Sequence, residues 1–258
     1  MRGTISTASC KAGAITSRRH RPQEAPGPSA DAVKLALNRL RKRGKIASPA
    51  HGFSVIVPPE YSAIGCLPAD QFVPQLMANL DLPYYAGLLT AAQYYGAAHH
   101  RPQEFQVFTE KSRRPAKCGR VRVRFIARKQ ARLAATRPFN TPRGTLTVST
   151  PEVTAIDLTG YPDHAGGLGQ SITVLSELVE QIDPNKLVAA AQAAPLSWAQ
   201  RLGYLLERAD ARQTAHALQD YVRSIAKDYT PLSLRGPKDG PHNKNWKIIV
   251  NEVVEPEI

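Results

Sequence analysis

When successive residues of the string DAVKLALNRLRKR at 31–43 are set 100° apart, Val33, Ala36, Leu37 and Leu40 fall in one apolar stripe. Lys34, Asn38, Arg41 and Lys42 share the opposite side. The pattern predicts an amphipathic helix, capped by Ser29 or Asp31 and ended by Gly44 in the left-handed position that follows a helix. Lys45-Ile46-Ala47 and Phe53-Ser54-Val55-Ile56-Val57 then read as two short strands around Ser48-Pro49-Ala50-His51-Gly52. Helix, tight stop and small hairpin are the ending of a winged helix-turn-helix. Such a module has two further helices before the recognition helix. Residues 1–28 offer only Ile5, Ala8, Ala12 and Ile15 as a periodic set, so the module reads as incomplete.

Further along, Leu67-Pro68-Ala69-Asp70 opens a helix. LLTAAQYYGAAH at 88–99 reads as a small-residue helix with Leu88, Ala91, Ala92 and Tyr95 inward, which favours packing over base stacking for the tyrosines Tyr84, Tyr85, Tyr94 and Tyr95. Phe105–Phe108 and Val121–Ile126 suggest a hairpin across the turn-rich KSRRPAKCG. Its second strand puts Val121, Val123 and Phe125 on one face and Arg122 and Arg124 on the other. Thr150 as N-cap, Pro151 at N1 and Glu152 in the first turn start a helix at 150–160. Gly166–Gly169 reads as a loop, and apolar stretches at 171–183, 185–194, 196–209 and 212–227 as helices, with Leu202, Leu205, Leu206 and Ala209 as one inward stripe. Trp246–Val250 reads as a final strand returning to the sheet. The fold class expected is α+β: an N-terminal winged helix-turn-helix, then a mixed α/β domain with a helical C-terminal lobe. The expected units are a basic arm at 1–28, the rest of the winged helix at 29–60 and a second domain at 65–258.

Charge changes this picture more than composition does. The 258 residues carry 34 Lys and Arg against 21 Asp and Glu, a net +13, and the excess is uneven. Residues 1–60 hold a net +8, 61–100 a net −2, 101–145 a net +11 and 146–228 a net −4, and the last thirty balance. Between 34 and 43 there are five cations and no acid, a bias that favours a phosphate backbone over a merely solvated helix face. The candidate DNA-binding residues are Lys34, Asn38, Arg39, Arg41, Lys42, Lys45 and His51. A second basic strip, Arg113, Arg114, Arg120, Arg122, Arg124, Arg128, Lys129 and Arg132, suits DNA, RNA or an acidic protein surface.

No run of about 18 apolar residues exists, so no membrane partner is expected. The first 28 residues lack a continuous apolar core, which argues against a secretory signal. Cys10, Cys66 and Cys118 have no C-x-x-C spacing, so neither a disulfide framework nor structural zinc is indicated, and a cytoplasmic location is expected. Glu152 and Asp157 are five apart, about 140° around a helix, and do not share a face. His99-His100 and His164 lack metal-ligand spacing, and no nucleophile is paired by motif with a base. No catalytic residue, metal or cofactor is expected, and the protein reads as a non-enzyme.

Three strings carry a resemblance: ALNRLRKRGKIASPAHGFSVIVPPEY at 36–61, LPYYAGLLTAAQYYGAAHHRPQEFQVF at 82–108 and VSTPEVTAIDLTGYPDHAGGL at 148–168, with WKIIVN at 246–251 in agreement. Over roughly residues 31–258 the chain resembles the AbiEi antitoxins of bacterial abortive-infection, type IV toxin–antitoxin systems. The resemblance implies a two-domain antitoxin and transcriptional repressor. Its winged helix binds inverted repeats in double-stranded DNA of its own promoter, which implies more than one copy on the DNA. Its C-terminal domain counters a cognate nucleotidyltransferase toxin, directly or indirectly. Two other readings compete: a metal-dependent nucleic-acid-processing enzyme using Glu152, Asp157 or Asp163, and an antitoxin acting by protein contact alone with a decayed DNA-binding module.

Overall fold

The structure, a computed structural model, describes residues 14–16, 29–97 and 102–255. Apart from 14–16, the basic arm lies outside the described residues, as do His99, His100 and Arg101. A short strand β1 (Ala14–Thr16) precedes helix α1 (Ala30–Lys42) and the hairpin of β2 (Ile46–Ala50) and β3 (Phe53–Ile56). The signals that bound α1 act as expected: Ser29 Oγ accepts from the Ala32 N–H at 3.3 Å, and Gly44 sits at φ +66°. β3 is the centre of an antiparallel sheet ordered β1-β3-β2. The apolar stripe of α1 does not enter a core formed by the described residues. Val33 is 43% exposed and Leu40 38%, and no α1 side chain is buried.

The inner side of the hairpin packs forward along the chain. Phe53, Val55 and Val57 join Leu67, with Phe72, Leu76 and Met77 of α2 (Ala69–Asn79), in one cluster over a second sheet. That sheet has six strands in the order β6-β7-β5-β4-β9-β8. They are β4 (Tyr84–Ala86), β5 (Phe105–Thr109), β6 (Ala116–Cys118), β7 (Val121–Ala127), β8 (Thr136–Thr141) and β9 (Gly144–Ser149), with helix α3 (Leu88–Tyr94) after β4. Val107, Val123 and Phe125 face α2 and the hairpin, whereas their neighbours Phe108 and Ile126 face the helices on the other side, as a period of two requires.

Two sequence expectations about this sheet are corrected. β5 and β7 do not form a hairpin; they run parallel, with Phe105 opposite Val123 and Thr109 opposite Ala127. The hairpin is β6–β7, closed at Gly119, whose φ of +58° suits glycine. KSRRPAKCG thus holds a return segment and a strand where a single turn was read. The strand β4 was also missed. It is three residues long and its Tyr85 and Ala86 are fully buried, so it shows no alternation.

The opposite face of the sheet carries α4 (Pro151–Gly160), with α5 (Gly167–Leu178), α6 (Pro184–Gln192), α7 (Leu196–Arg208) and α8 (Arg212–Ile225) stacked around it. Thr150 Oγ caps α4 by accepting from the Val153 N–H at 3.4 Å. Every α4 side chain is buried, which makes α4 the central helix of the lobe. Gly167–Gly169 is the first turn of α5, not a loop, with Gly166 at φ +85° as its cap. Trp246–Val250 does not return to the six-stranded sheet. It contributes β12 (Ile248–Ile249) to a small sheet with β10 (Thr230–Pro231) and β11 (His242–Asn243). Trp246 anchors this tail on α7, where a Cβ on Gly203 would lie 2.0 Å from the indole.

Candidate nucleic-acid interface

The Arg41 guanidinium ties α1 to the hairpin. One nitrogen donates to Ser48 Oγ on β2 at 2.8 Å and the other to Asn38 Oδ1 one turn back at 3.4 Å. Ser48 and Ser54 are hydrogen-bonded across the hairpin at 3.0 Å. Between α1 and the hairpin runs a groove of about 1000 Å³, lined by Lys34, Asn38, Arg41, His51 and Lys117 together with Val33 and Leu37. Arg39, Lys42 and Lys45 are exposed nearby on the same helix and its exit. A second groove of about 420 Å³ has His51 on one wall and Arg113 and Arg114 on the other. Among the described residues no acidic side chain lines either groove.

The tertiary structure therefore joins what the sequence separates. The tip of the hairpin, in the first basic region, meets Arg113, Arg114 and Lys117 of the second because β2 lies beside β6. Lys117 was not among the residues singled out from the sequence. The signal was its basic neighbourhood, but nothing local showed that β6 would face α1.

The rest of the strip disperses. Arg120 and Arg122 line a different cleft, of about 670 Å³, in the company of Asp70 and Glu104. Arg124 is ion-paired and hydrogen-bonded with Glu104, and that guanidinium holds the Glu104 carboxyl below the usual carboxylate range. Arg132 faces Glu110 at 3.3 Å on the surface, and Lys129 is exposed. Arg128 is not a surface cation. It is 6% exposed, with its Nε 3.0 Å from Oδ1 of the fully buried Asp157, so it cannot meet a phosphate. Asp157 Oδ2 accepts from the Tyr85 hydroxyl at 2.8 Å. Burial outweighs both partners and raises the Asp157 carboxyl to about 6.

The carboxylates of the enzymatic reading do not converge. Asp157 is held by Arg128, Glu152 Oε1 accepts from the Asp183 N–H at 3.1 Å, and Asp163 meets Arg235 at 2.8 Å on the surface. Among the described residues no group of three or more His, Cys, Asp or Glu could hold a metal ion. Among them, too, no helix is long and apolar enough to cross a membrane. Of the tyrosines weighed for base stacking, Tyr85 is buried against Phe108, and Tyr95 donates to the Ser149 carbonyl at 2.7 Å.

Residues 85–208, from β4 through α7, match the family model of the AbiEi antitoxin C-terminal domain. That match, just under half of the chain, supports an AbiEi-family antitoxin. The domain supports the role of antitoxin in a toxin–antitoxin system. The fold is also that of a solved structure, the RV2827C protein from Mycobacterium tuberculosis, at a TM-score of 0.61 and 18% identity. That alignment covers 83% of this chain and 78% of the other, so it extends beyond the AbiEi segment. No curated protein matches the chain.

Proposed function

We propose that this chain is an AbiEi antitoxin and a DNA-binding autorepressor that grips its own promoter through α1 and the β2–β3 hairpin, and that residues 65–258 counter a nucleotidyltransferase toxin. The observation that carries the DNA reading is the acid-free pair of grooves in which Arg41 holds α1 against the hairpin while Lys117, Arg113 and Arg114 extend the positive surface. The order β1-β3-β2, with a helix leading into the hairpin, supports a winged helix, in which a leading strand pairs with the wing. The toxin reading rests on the match of residues 85–208 to the AbiEi antitoxin C-terminal domain. The action is cytoplasmic and needs neither cofactor nor metal.

Gel shift against the DNA upstream of the gene, at two salt concentrations, tests the first half. Each phosphate contact contributes about 0.9 to the slope of log affinity against log salt, so Arg41→Ala with Lys42→Ala should flatten that slope by about 2. An unchanged affinity and slope would sink the DNA-binding assignment. Co-expression with the adjacent gene product tests the second half. Growth rescue by the full chain that persists in the Arg41, Lys42 double variant assigns neutralisation to the larger domain. No rescue by the unaltered chain refutes it.

A further inference from the structure

The two described cysteines meet at the joint between the hairpin and the six-stranded sheet. Cys66 ends the segment that leads from the hairpin into α2, and Cys118 ends β6. Both are free and buried in one apolar cluster. Their backbones run in contact. The Arg120 N–H donates to the Ile64 carbonyl at 2.8 Å, and a Cβ on Gly119 would lie 2.1 Å from that same oxygen and 3.0 Å from the Gly65 Cα. Each cysteine is the neighbour of a glycine in that contact, and the two thiols are close enough to perturb one another's titration. Nothing in the DNA or antitoxin reading uses this dithiol.

We propose that Cys66 and Cys118 are a redox modification site, closing to an intramolecular disulfide when a hydroperoxide reaches them. The two sulfurs have unequal roles. Cys118 lies on β6 beside β2, whose Ser48 holds the Arg41 guanidinium at 2.8 Å, and the neighbouring Cys66 thiol, the Ser48 backbone and that cation draw the Cys118 thiol below its ordinary pKa despite burial. Cys66, beside the Cys118 sulfur and the more deeply buried of the two, is held well above its own. Cys118 is therefore the nucleophile. Its thiolate attacks a peroxide oxygen, the O–O bond breaks, and hydroxide leaves to take up a proton as water, giving a sulfenic acid. Cys66 then attacks the Cys118 sulfur. The S–O bond breaks, the departing hydroxide takes the Cys66 proton, and the products are one disulfide and a second water. Both sulfurs are oxidised by one electron and the peroxide is reduced by two. Access is short, because Ser48 and Lys117 line the α1 groove while Ile64 and Arg120 line the cleft on the other side. The bond would fasten the segment after the hairpin to β6, the strand that carries Lys117.

The test uses the full chain with Cys10→Ser, which leaves only this pair of thiols. After brief hydrogen peroxide treatment and maleimide blocking, non-reducing digestion and mass spectrometry should find a Cys66–Cys118 linked peptide two hydrogens lighter than the separate thiols. Neither cysteine should carry maleimide, and dithiothreitol should restore both labels. In the further variant Cys66→Ser, Cys118 should stop at a sulfenic acid that dimedone traps. In Cys118→Ser, Cys66 should remain unoxidised over the same interval. Labelling of both thiols after peroxide, overoxidation of Cys118 without the linked peptide, or linkage that forms only in urea would each overturn the proposal.

Discussion

Replacing Asp157 by alanine removes the carboxylate that faces the Arg128 guanidinium at 3.0 Å and accepts from Tyr85 at 2.8 Å. Arg128 is 6% exposed, and its own N–H is already committed to the Thr109 carbonyl at 2.9 Å, so the side chain cannot swing out to water without pulling on the end of β7. A buried charge left in this way costs about 3–5 kcal/mol, and the stranded Tyr85 hydroxyl falls within that loss. Arg128→Met alone strands the opposite charge, but Asp157 relieves part of the cost by taking up a proton, so its loss should be smaller, about 2–3 kcal/mol. Removing both charges, as Arg128→Met with Asp157→Leu, leaves only the Tyr85 hydroxyl to satisfy and should cost about 1–3 kcal/mol. The double variant should therefore be more stable than Asp157→Ala, and far from the sum of the two single losses. Urea unfolding at pH 7.5 reads the difference. With a slope near 3 kcal/mol per molar, Asp157→Ala should lower the midpoint by about 1 M or more. A single-variant loss below about 1 kcal/mol, or strict additivity in the double, would refute the claim that this pair joins the sheet to the helical lobe.

Three further outcomes follow from the geometry. Because burial raises the Asp157 carboxyl to about 6, folding takes up a proton between the ordinary carboxylate range and that value; the stability from this group is fullest below about pH 4, falls by about 3 kcal/mol as pH rises to 6 and is level above. Urea midpoints of the unaltered protein minus those of Asp157→Asn should show that fall, and a rise over the same window would contradict it. A Cβ at Gly203 would lie 2.0 Å from the Trp246 ring, so Gly203→Ala should cost about 1–3 kcal/mol and shift the tryptophan fluorescence, whereas an unchanged spectrum and midpoint would mean that the tail is not seated there. Lys117→Gln should flatten the salt slope of DNA binding by about 0.9, and Arg132→Gln, paired with Glu110 away from the grooves, should leave it unaltered; equal effects would remove Lys117 from the interface.

The elements with strong local signals were legible. Ser29 and Gly44 mark the two ends of α1, Thr150-Pro151 marks the start of α4, and the breaks at Pro184 and Pro195 place α6 and α7 within a residue or two. Pairing was not legible, since alternation in Val121–Ala127 shows that β7 has two faces without saying whether β5 runs parallel or antiparallel to it. The candidate site was read in halves. The α1 residues and the hairpin tip carried a charge signal, but a run of arginines along β7 looks the same whether its members reach solvent, meet Glu104 or, like Arg128, turn inward to Asp157.

Taken alone, the sequence determined where charge concentrates, where helices begin and end, and, through three long strings, a likeness to the AbiEi antitoxins that the match over residues 85–208 supports. Those are local properties, written in side-chain period, cap chemistry and residue order. The tertiary structure decided which cations share a surface. β2 lies beside β6 because the inner faces of the hairpin and of the sheet bury their apolar side chains in one cluster with α2. That burial, between residues more than fifty positions apart, brings the two basic regions onto one surface and sets Cys66 beside Cys118.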